Sequence, residues 1–258
     1  MYEQTSKYDA SKNFRFSAKF KNLVRTLVII PCRYNSSRFP GKSLAKFKGI
    51  PLVQRVYEQV KKSSVVDHVI IATDDKRIYD FAKEINADCS YSLKKYENGS
   101  ERCFDVIKEN YDEYDFFINV QGDIAVFNPR EIDKLCLIFK KEKPQIITVA
   151  NKIINELENS DRDIVKVSFN SDKMATTFYR NSEFKKSEFK HRGIYGFNKS
   201  IVYKISNLKP DTDEKRLNLE QLRWINNNFQ IRVVISDSDS HSIDRIEDLD
   251  KSSLLSDK

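Results

Sequence analysis

Three cations follow directly on an apolar run near the start of the chain. The run covers residues 27–30, and the loop that comes after it contains two arginines, one lysine and two serines. These are Arg33, Arg38, Lys42, Ser36 and Ser37. Planar guanidinium groups, an ammonium group and hydroxyls are donors that can hold a polyphosphate. The loop therefore predicts phosphate or nucleotide binding, and the alternative is a solvated basic loop in a lysine-rich chain.

The end of this loop matches part of the Walker motif, G-x-x-x-x-G-K-[ST]. Residues 41–43 read Gly-Lys-Ser, but the first glycine of the motif would fall at position 36, which is a serine. A Walker lysine also opens a helix, whereas here Gly49 intervenes and Pro51 is predicted to be the first residue of the next helix. P-loop chemistry is therefore not predicted.

A carboxylate stands at the end of a second apolar run. Residues 116–120 lead into Gln121, Gly122 and Asp123. A carboxylate at the carboxyl end of a strand, after a glycine that permits close backbone approach, is a candidate ligand of Mg²⁺. A simple turn residue is the alternative interpretation of a single aspartate. The metal site is favoured because Asp123 and Arg38 are predicted to share one edge of the sheet.

Alternating strands and helices must position these side chains. Strands are predicted at 27–30, 68–73, 88–91, 116–120 and 146–150, and helices at 51–63, 76–86, 99–110 and 129–141. Continuous apolar strands joined by helices predict an α/β fold with a parallel sheet, in which ligands bind at the carboxyl ends of the strands. Ser100 is a candidate N-cap of the third helix, and the alternative is that this helix start faces a ligand.

The regular alternation stops after residue 150. Further strands are predicted at 165–169, 175–179, 193–197 and 231–235, and helices at 199–207, at 215–228 and from about Glu247 onward. The first three of these strands predict a mixed-sheet lobe on the same core.

Composition limits the classes of partner. The 45 Lys and Arg against 38 Asp and Glu in 258 residues suit anionic ligands, but there is no basic stripe with stacking aromatics, so nucleic acid is not an expected partner. No apolar run approaches the roughly 18 residues of a membrane helix, and no secretion signal is seen, so we expect a cytoplasmic protein without a membrane partner. Residues 1–25 are polar and are predicted to form a flexible extension.

The four cysteines are not paired in sequence. They are Cys32, Cys89, Cys103 and Cys136. Without a C-x-x-C pair or a histidine at ligand spacing, a zinc site is not predicted. Cys32 and Cys89 are interpreted as packing residues.

Seven motifs in order along the chain resemble the CMP-Kdo synthetases, the 3-deoxy-manno-octulosonate cytidylyltransferases. They are residues 30–42 (IPCRYNSSRFPGK), 72–74 (ATD), 99–102 (GSER), 119–123 (NVQGD), 191–196 (HRGIYG), 219–223 (LEQLR) and 243–249 (IDRIEDL). The resemblance implies a Rossmann-like α/β/α nucleotide-diphospho-sugar transferase fold in a single domain, 26–258. Residues 26–150 would form its nucleotide-binding part, and 151–258 its sugar-binding and dimerisation part.

The resemblance also implies a reaction and the residues that serve it. The expected enzyme is a homodimer that uses CTP and Mg²⁺ to activate an acidic 2-keto-3-deoxy sugar. The implied nucleotide-binding residues are Arg33, Ser36, Ser37, Arg38, Lys42, Gly99, Ser100 and Arg102. The implied sugar-binding residues are Gln121, Arg180, His191, Tyr195, Glu220 and Gln221. Asp123 and Asp244 would hold Mg²⁺, and Arg38, Lys42 and Asp123 would be the catalytic residues.

Departures from the family pattern leave alternatives open. Ile124 and Ala125 replace a usual Glu-Pro pair, Cys32 replaces an alanine, Arg192 replaces an apolar residue, and the segment between residues 180 and 191 is short. One alternative is a different acidic acceptor, such as an amino-substituted Kdo, a sialic-type sugar or a non-sugar acid. Another is a nucleotide-binding protein that has lost catalysis.

Overall fold

The computed structural model describes residues 24–36, 38–111, 113–180, 188–238 and 241–253. Residues 1–23 of the predicted extension, and Ser37 of the basic loop, lie outside these ranges. The described strands are β1 (Thr26–Cys32), β2 (Lys46–Phe47), β3 (Ile50–Pro51), β4 (His68–Thr73), β5 (Asp88–Tyr91), β6 (Phe116–Val120), β7 (Ile124–Val126), β8 (Ile146–Lys152), β9 (Lys166–Phe169), β10 (Ala175–Tyr179), β11 (Phe189–Asn198), β12 (Ile231–Ile235) and β13 (His241–Ser242).

Helices connect most of these strands. They are α1 (Leu52–Lys61), α2 (Lys76–Glu84), α3 (Gly99–Asn110), α4 (Arg130–Glu142), α5 (Glu156–Ser160), α6 (Lys199–Ile205), α7 (Thr212–Leu217), α8 (Glu220–Asn226) and α9 (Glu247–Ser253), with a short 3₁₀ helix at Lys42–Leu44. None of the helices in the described part of the chain is long and apolar enough to cross a membrane.

A nine-stranded mixed sheet forms the centre of the molecule. Strand β1 pairs in parallel with β4 and β6, and β4 pairs in parallel with β5. The long strand β11 runs antiparallel to β6, β8 and β9, and β12 pairs in parallel with β8. The predicted α/β fold is confirmed. The later strands extend the same sheet, because β11 lies directly beside β6.

Helices cover both faces of this sheet. Along β1, Leu27 and Ile29 pack with α3, α6 and α8, whereas Val28 and Ile30 pack with α1, α2 and α4. This alternation follows from the two-residue period of a strand, and it explains why a strand buried on both faces is apolar throughout. The result is the α/β/α layering that the resemblance implies.

Three local predictions are wrong. The predicted helix 215–228 is two helices, because Asn218 adopts a left-handed conformation with φ of 53° between α7 and α8. Ser100 is not an N-cap: α3 begins one residue earlier, and the Asn98 side chain caps it by accepting from the Glu101 amide. Pro51 is not the first residue of α1: it precedes the helix as its cap residue and is the last residue of β3.

Candidate active site

A deep cleft lies at the carboxyl ends of the parallel strands β1 and β6. It consists of two adjoining cavities, one of about 1400 Å³ and one of about 500 Å³. Both cavities are lined by Arg38, Asp123 and Asp244. The residues predicted at the strand ends therefore meet in one place, as expected for ligand sites of open α/β sheets.

The smaller cavity gathers most of the predicted nucleotide-binding residues. Arg33, Ser36, Arg38, Lys42, Gly99 and Arg102 all line it. Ser100 does not line either cavity, since its side chain is buried and turned toward α8. Ser37 lies outside the described residues, so its role stays a prediction.

Backbone geometry shapes the basic loop. The Tyr34 carbonyl oxygen accepts hydrogen bonds from the amides of Ser36, at 2.9 Å, and Gly41, at 2.8 Å. Gly41 has a φ of 75°, and a Cβ there would lie 3.1 Å from the Tyr34 ring. Glycine is favoured at such a position because it alone carries no Cβ. This turn directs Lys42 back toward the sheet edge.

Two carboxylates and two cations form the centre of the cleft. The Lys42 ammonium nitrogen lies 2.7 Å from an oxygen of Asp123 and 3.6 Å from an oxygen of Asp244. The Arg38 guanidinium donates to Asp244 at 2.7 Å and to Asp163 at 2.8 Å. Burial, followed by the neighbouring charge of Asp123, raises the pKa of Asp244 above its ordinary value. The two carboxylates are thus close enough to repel each other, which favours a cation between them.

Pairing between two short strands brings these carboxylates together. Strand β7 starts immediately after Asp123, and β13 ends two residues before Asp244. The strands run antiparallel, and the Ile243 amide donates to the Asp123 carbonyl oxygen at 2.9 Å. Side chains 121 residues apart are therefore fixed beside each other by main-chain hydrogen bonds.

Ile124 and Ala125, which replace the usual Glu-Pro pair, anchor the segment after Asp123 to α1. Both residues are buried in β7, and the Ala125 carbonyl oxygen accepts from Arg55, at 2.9 Å, and Gln59, at 2.8 Å, both on α1. The segment after Asp123 is consequently anchored to α1 without a polar side chain of its own. In this chain the pairing of β7 with β13 places Asp123 beside Asp244 without the usual Glu-Pro pair.

The donor set suits a metal that also binds substrate. Within the described ranges, no group of three or more His, Cys, Asp or Glu side chains converges in a way that could hold a metal ion. Mg²⁺ in nucleotide sites is usually held by one or two carboxylates together with substrate phosphates and waters. Asp123 and Asp244 fit that pattern, and they fit a dedicated all-protein metal cage poorly.

Arg102 presents an unused donor at the smaller cavity. One terminal nitrogen donates to Asp74 at 2.7 Å, and the guanidinium carbon lies 4.8 Å from the centre of the Tyr96 ring. The other terminal nitrogen, Nη1, is buried and has no hydrogen-bond partner among the described residues. A buried guanidinium N–H without a partner is costly, so a ligand acceptor is expected there. Asp74 belongs to a motif of the sequence, but its pairing with Arg102 could not be read from spacing.

The larger cavity contains all six predicted sugar-binding residues. They are Gln121, Arg180, His191, Tyr195, Glu220 and Gln221. Gln221 donates to the Tyr195 hydroxyl, and its own side-chain oxygen has no partner among the described residues. Glu220 Oε2 is likewise buried without a partner there. The Gln221 oxygen can accept from a hydroxyl group and the Glu220 carboxyl can exchange a hydrogen bond with another, which is the chemistry that a sugar requires.

His191 is held as a neutral ring. The Thr148 hydroxyl donates to the Ile194 carbonyl oxygen at 2.8 Å and lies 2.9 Å from His191 Nε2. Since a hydroxyl has a single proton, Nε2 must donate to it, and Nδ1 is left as an acceptor. Burial, and then the charges of Arg192 and Arg180, lower the pKa of His191 to about 3. His191 is therefore suited to hydrogen bonding and poorly suited to carrying charge.

A buried polar chain runs from Glu220, at the larger cavity, through Ser100 to Asn119. Ser100 Oγ donates to Glu220 at 3.0 Å and accepts from Asn119 on β6 at 3.1 Å. Burial raises the pKa of Glu220 to about 8, although the Ser100 hydrogen bond and the charge of Arg223 oppose the shift. This connection was not predicted, because Ser100 and Glu220 are 120 residues apart.

The raised pKa of Glu220 predicts a pH dependence of stability. Between its ordinary value of 4.5 and about 8, the folded protein holds a proton on Glu220 that the unfolded chain releases. Rising pH therefore destabilises the fold across this window, by at most about 1.4 kcal/mol per pH unit. In denaturant titrations, Glu220→Gln is expected to lose this slope while wild type retains it. Parallel stability curves from pH 5 to pH 8 would contradict the assignment.

Comparisons with known proteins identify relatives of this chain. The profile of a family described as cytidylyltransferase matches residues 27–244. The 3-deoxy-manno-octulosonate cytidylyltransferase of Thermodesulfovibrio yellowstonii is 35% identical over 243 residues, covering 87% of this chain and 95% of the relative. Its namesake from Zea mays is 31% identical, covering 88% of this chain and 79% of the relative.

A solved structure extends the similarity to three dimensions. It is described as CMP:2-keto-3-deoxy-manno-octonic acid synthetase complexed with CTP, and it superposes with a TM-score of 0.82. The two sequences are 29% identical, and the match covers 90% of this chain and 98% of that one. The chain belongs to the 3-deoxy-manno-octulosonate cytidylyltransferase family of cytidylyltransferases.

Proposed function

We propose that this protein joins CTP to 3-deoxy-manno-octulosonate, giving the CMP-linked sugar and pyrophosphate. The observation that carries the proposal is the convergence of Arg38 and Lys42 with Asp123 and Asp244 between two cavities. One cavity has the donors for a nucleotide, and the other has hydrogen-bonding groups for a sugar. The relatives named for this reaction support the same activity.

The chain's own residues would act mainly by positioning and charge. In this reaction, the anomeric hydroxyl of the sugar attacks the α-phosphorus of CTP and loses its proton to solvent. The bond from the α-phosphorus to the bridging oxygen breaks, and pyrophosphate leaves with its electron pair. Negative charge grows on the phosphate oxygens as this occurs. Arg38 and Lys42 are placed to stabilise that charge, and each such contact is typically worth about 3–4 kcal/mol. No protein nucleophile is required.

Asp123 and Asp244 would hold Mg²⁺ when the nucleotide binds. The bound ion would supply charge neutralisation of the phosphates. Lys42 bridges the same two carboxylates, so it would also limit their repulsion before the ion arrives. The raised pKa of Asp244, caused by burial and by Asp123, supports the view that this pair needs a cation.

The acceptor is proposed to be an acidic sugar because the predicted sugar-binding residues of the larger cavity combine a cation, Arg180, with hydrogen-bonding groups such as Gln121, His191 and Gln221. Arg180, whose guanidinium is held by the Asp163 carbonyl oxygen at 2.8 Å, is placed to receive a carboxylate. His191 and Gln221 offer acceptors for hydroxyl groups. The homodimer stays a prediction from the resemblance, and the cytoplasmic location stays a prediction from the sequence. Sedimentation of the purified protein would test the homodimer.

The direct test is an acceptor screen with CTP and Mg²⁺. Pyrophosphate release is expected with 3-deoxy-manno-octulosonate and slower release with amino-substituted, sialic-type and non-sugar acids. Faster turnover of another acid would move the proposal to that acceptor. Magnesium-dependent CTP binding without turnover of any acid would indicate a non-catalytic nucleotide-binding protein.

A further inference from the structure

Three arginines from separate parts of the chain meet at Asp163, in the loop between α5 and β9. Asp163 Oδ1 accepts from Arg38 at 2.8 Å, and Oδ2 accepts from Arg245 at 2.8 Å. The Asp163 carbonyl oxygen accepts from Arg180 at 2.8 Å. Arg38 follows β1, Arg180 follows β10, and Arg245 follows Asp244. Asp163 thus joins the loops that border the nucleotide and sugar cavities.

The Arg38 guanidinium donates one hydrogen bond to Asp163 and one to Asp244. Its Nη1 donates to Asp163 at 2.8 Å, and its Nη2 donates to Asp244 at 2.7 Å. Arginine frequently binds one carboxylate through two parallel hydrogen bonds. If Asp163 were absent, both terminal nitrogens of Arg38 could turn onto Asp244. The contact with Asp163 prevents that arrangement, because it holds one end of the guanidinium away from Asp244.

The orientation of Arg38 matters because Asp244 is also a proposed ligand of the divalent ion. A guanidinium bound through both terminal nitrogens would occupy both oxygens of that carboxylate and compete with the ion. With a single hydrogen bond to Oδ1, Arg38 engages Asp244 at one oxygen. The Lys42 ammonium lies 3.6 Å from the same oxygen. Asp163 therefore affects the metal site although it belongs to another segment of the chain.

We propose that Asp163 is a positioning residue that keeps Arg38 from closing on Asp244 through both terminal nitrogens, and so keeps this carboxylate available to a divalent cation. The inference rests on the proposed function, since it concerns the cation that accompanies the triphosphate.

The test is Mn²⁺ binding by the full-length protein in the presence of CTP, measured from the electron paramagnetic resonance signal of the free ion. Asp163→Ala is expected to raise the Mn²⁺ dissociation constant about tenfold, because Arg38 then binds Asp244 through two hydrogen bonds. Asp163→Asn keeps an acceptor oxygen for Arg38, so its expected change is less than about threefold. The Mg²⁺ concentration that gives half-maximal turnover should shift in the same order.

Arg245→Ala is the matched control, because it removes the other ion pair of Asp163 and leaves the contact with Arg38. It is expected to bind Mn²⁺ at least as tightly as wild type. All three variants should unfold at the same denaturant concentration as wild type, since these ion pairs are partly exposed and contribute little to stability.

Two results would overturn the inference while the proposed function stands. One is an Asp163→Ala protein with wild-type Mn²⁺ affinity. The other is an equal loss in Asp163→Asn and Asp163→Ala, which would indicate an effect of charge alone. If Asp123→Asn binds Mn²⁺ as tightly as wild type, the proposed metal site is refuted, and this inference with it.

Discussion

Asp123→Asn is expected to lower kcat by about a thousandfold or more while the protein stays folded. Asp123 accepts from Lys42 at 2.7 Å and shares that ammonium with Asp244. The amide of asparagine has nearly the same shape, but it lacks the charge that attracts a divalent ion. Steady-state turnover with CTP and the preferred acceptor measures the loss. The cause would be the missing metal ligand, because Asn can still contact Lys42.

A matched control is available on the surface. Asp80→Asn removes a carboxylate that pairs with Lys76 on the exposed side of α2, outside both cavities. Turnover of this variant should equal that of wild type, and both variants should show wild-type unfolding in denaturant. Near-native turnover by Asp123→Asn would mean that Asp123 does not hold the essential ion.

Arg192→Leu is expected to destabilise the fold by about 3–5 kcal/mol. Arg192 lies on β11 beside His191, and its Nη1 lies 2.6 and 2.9 Å from the two carboxylate oxygens of Glu131 on α4. Both residues are 6% exposed. Removing the arginine leaves Glu131 with a buried charge that lacks its counter-ion. The measurement is the free energy of unfolding from denaturant titration near pH 7.

The double variant Arg192→Leu/Glu131→Leu separates the two possible causes. If the loss comes from an unpaired buried charge, the double variant should recover most of the stability. Arg232→Leu is the control, because the Arg232–Glu142 pair lies nearer the surface, and its loss should cost less than about 1 kcal/mol. A double variant as unstable as Arg192→Leu would mean that packing, and not charge, explains the effect.

The sequence predicted the elements that depend on local pattern. A run such as Leu27–Ile30 is apolar because both faces of β1 are covered, so its burial is visible without tertiary information. The residues at the ends of β1 and β6 could be placed at one sheet edge for the same reason. The family motifs extended these predictions to the two sides of the cleft, where the structure gathers most of the proposed residues.

Features that depend on distant partners were not predicted. Strands β7 and β13 contain three and two residues, and each has a backbone partner only once the chain has folded. Asp163 carries no motif, and its role appears only when Arg38 and Arg245 are seen on either side of it. Asn98 and Ser100 are about equally good caps by type, so sequence preference could not decide between them.

The most direct test is a crystal structure with CTP and Mn²⁺, read from the anomalous signal of the manganese. We expect one strong peak within ligand distance of Asp123 and Asp244, with phosphate oxygens of CTP on the ion and against Arg38 and Lys42. A peak on other side chains, or a triphosphate lying away from these two cations, would contradict it.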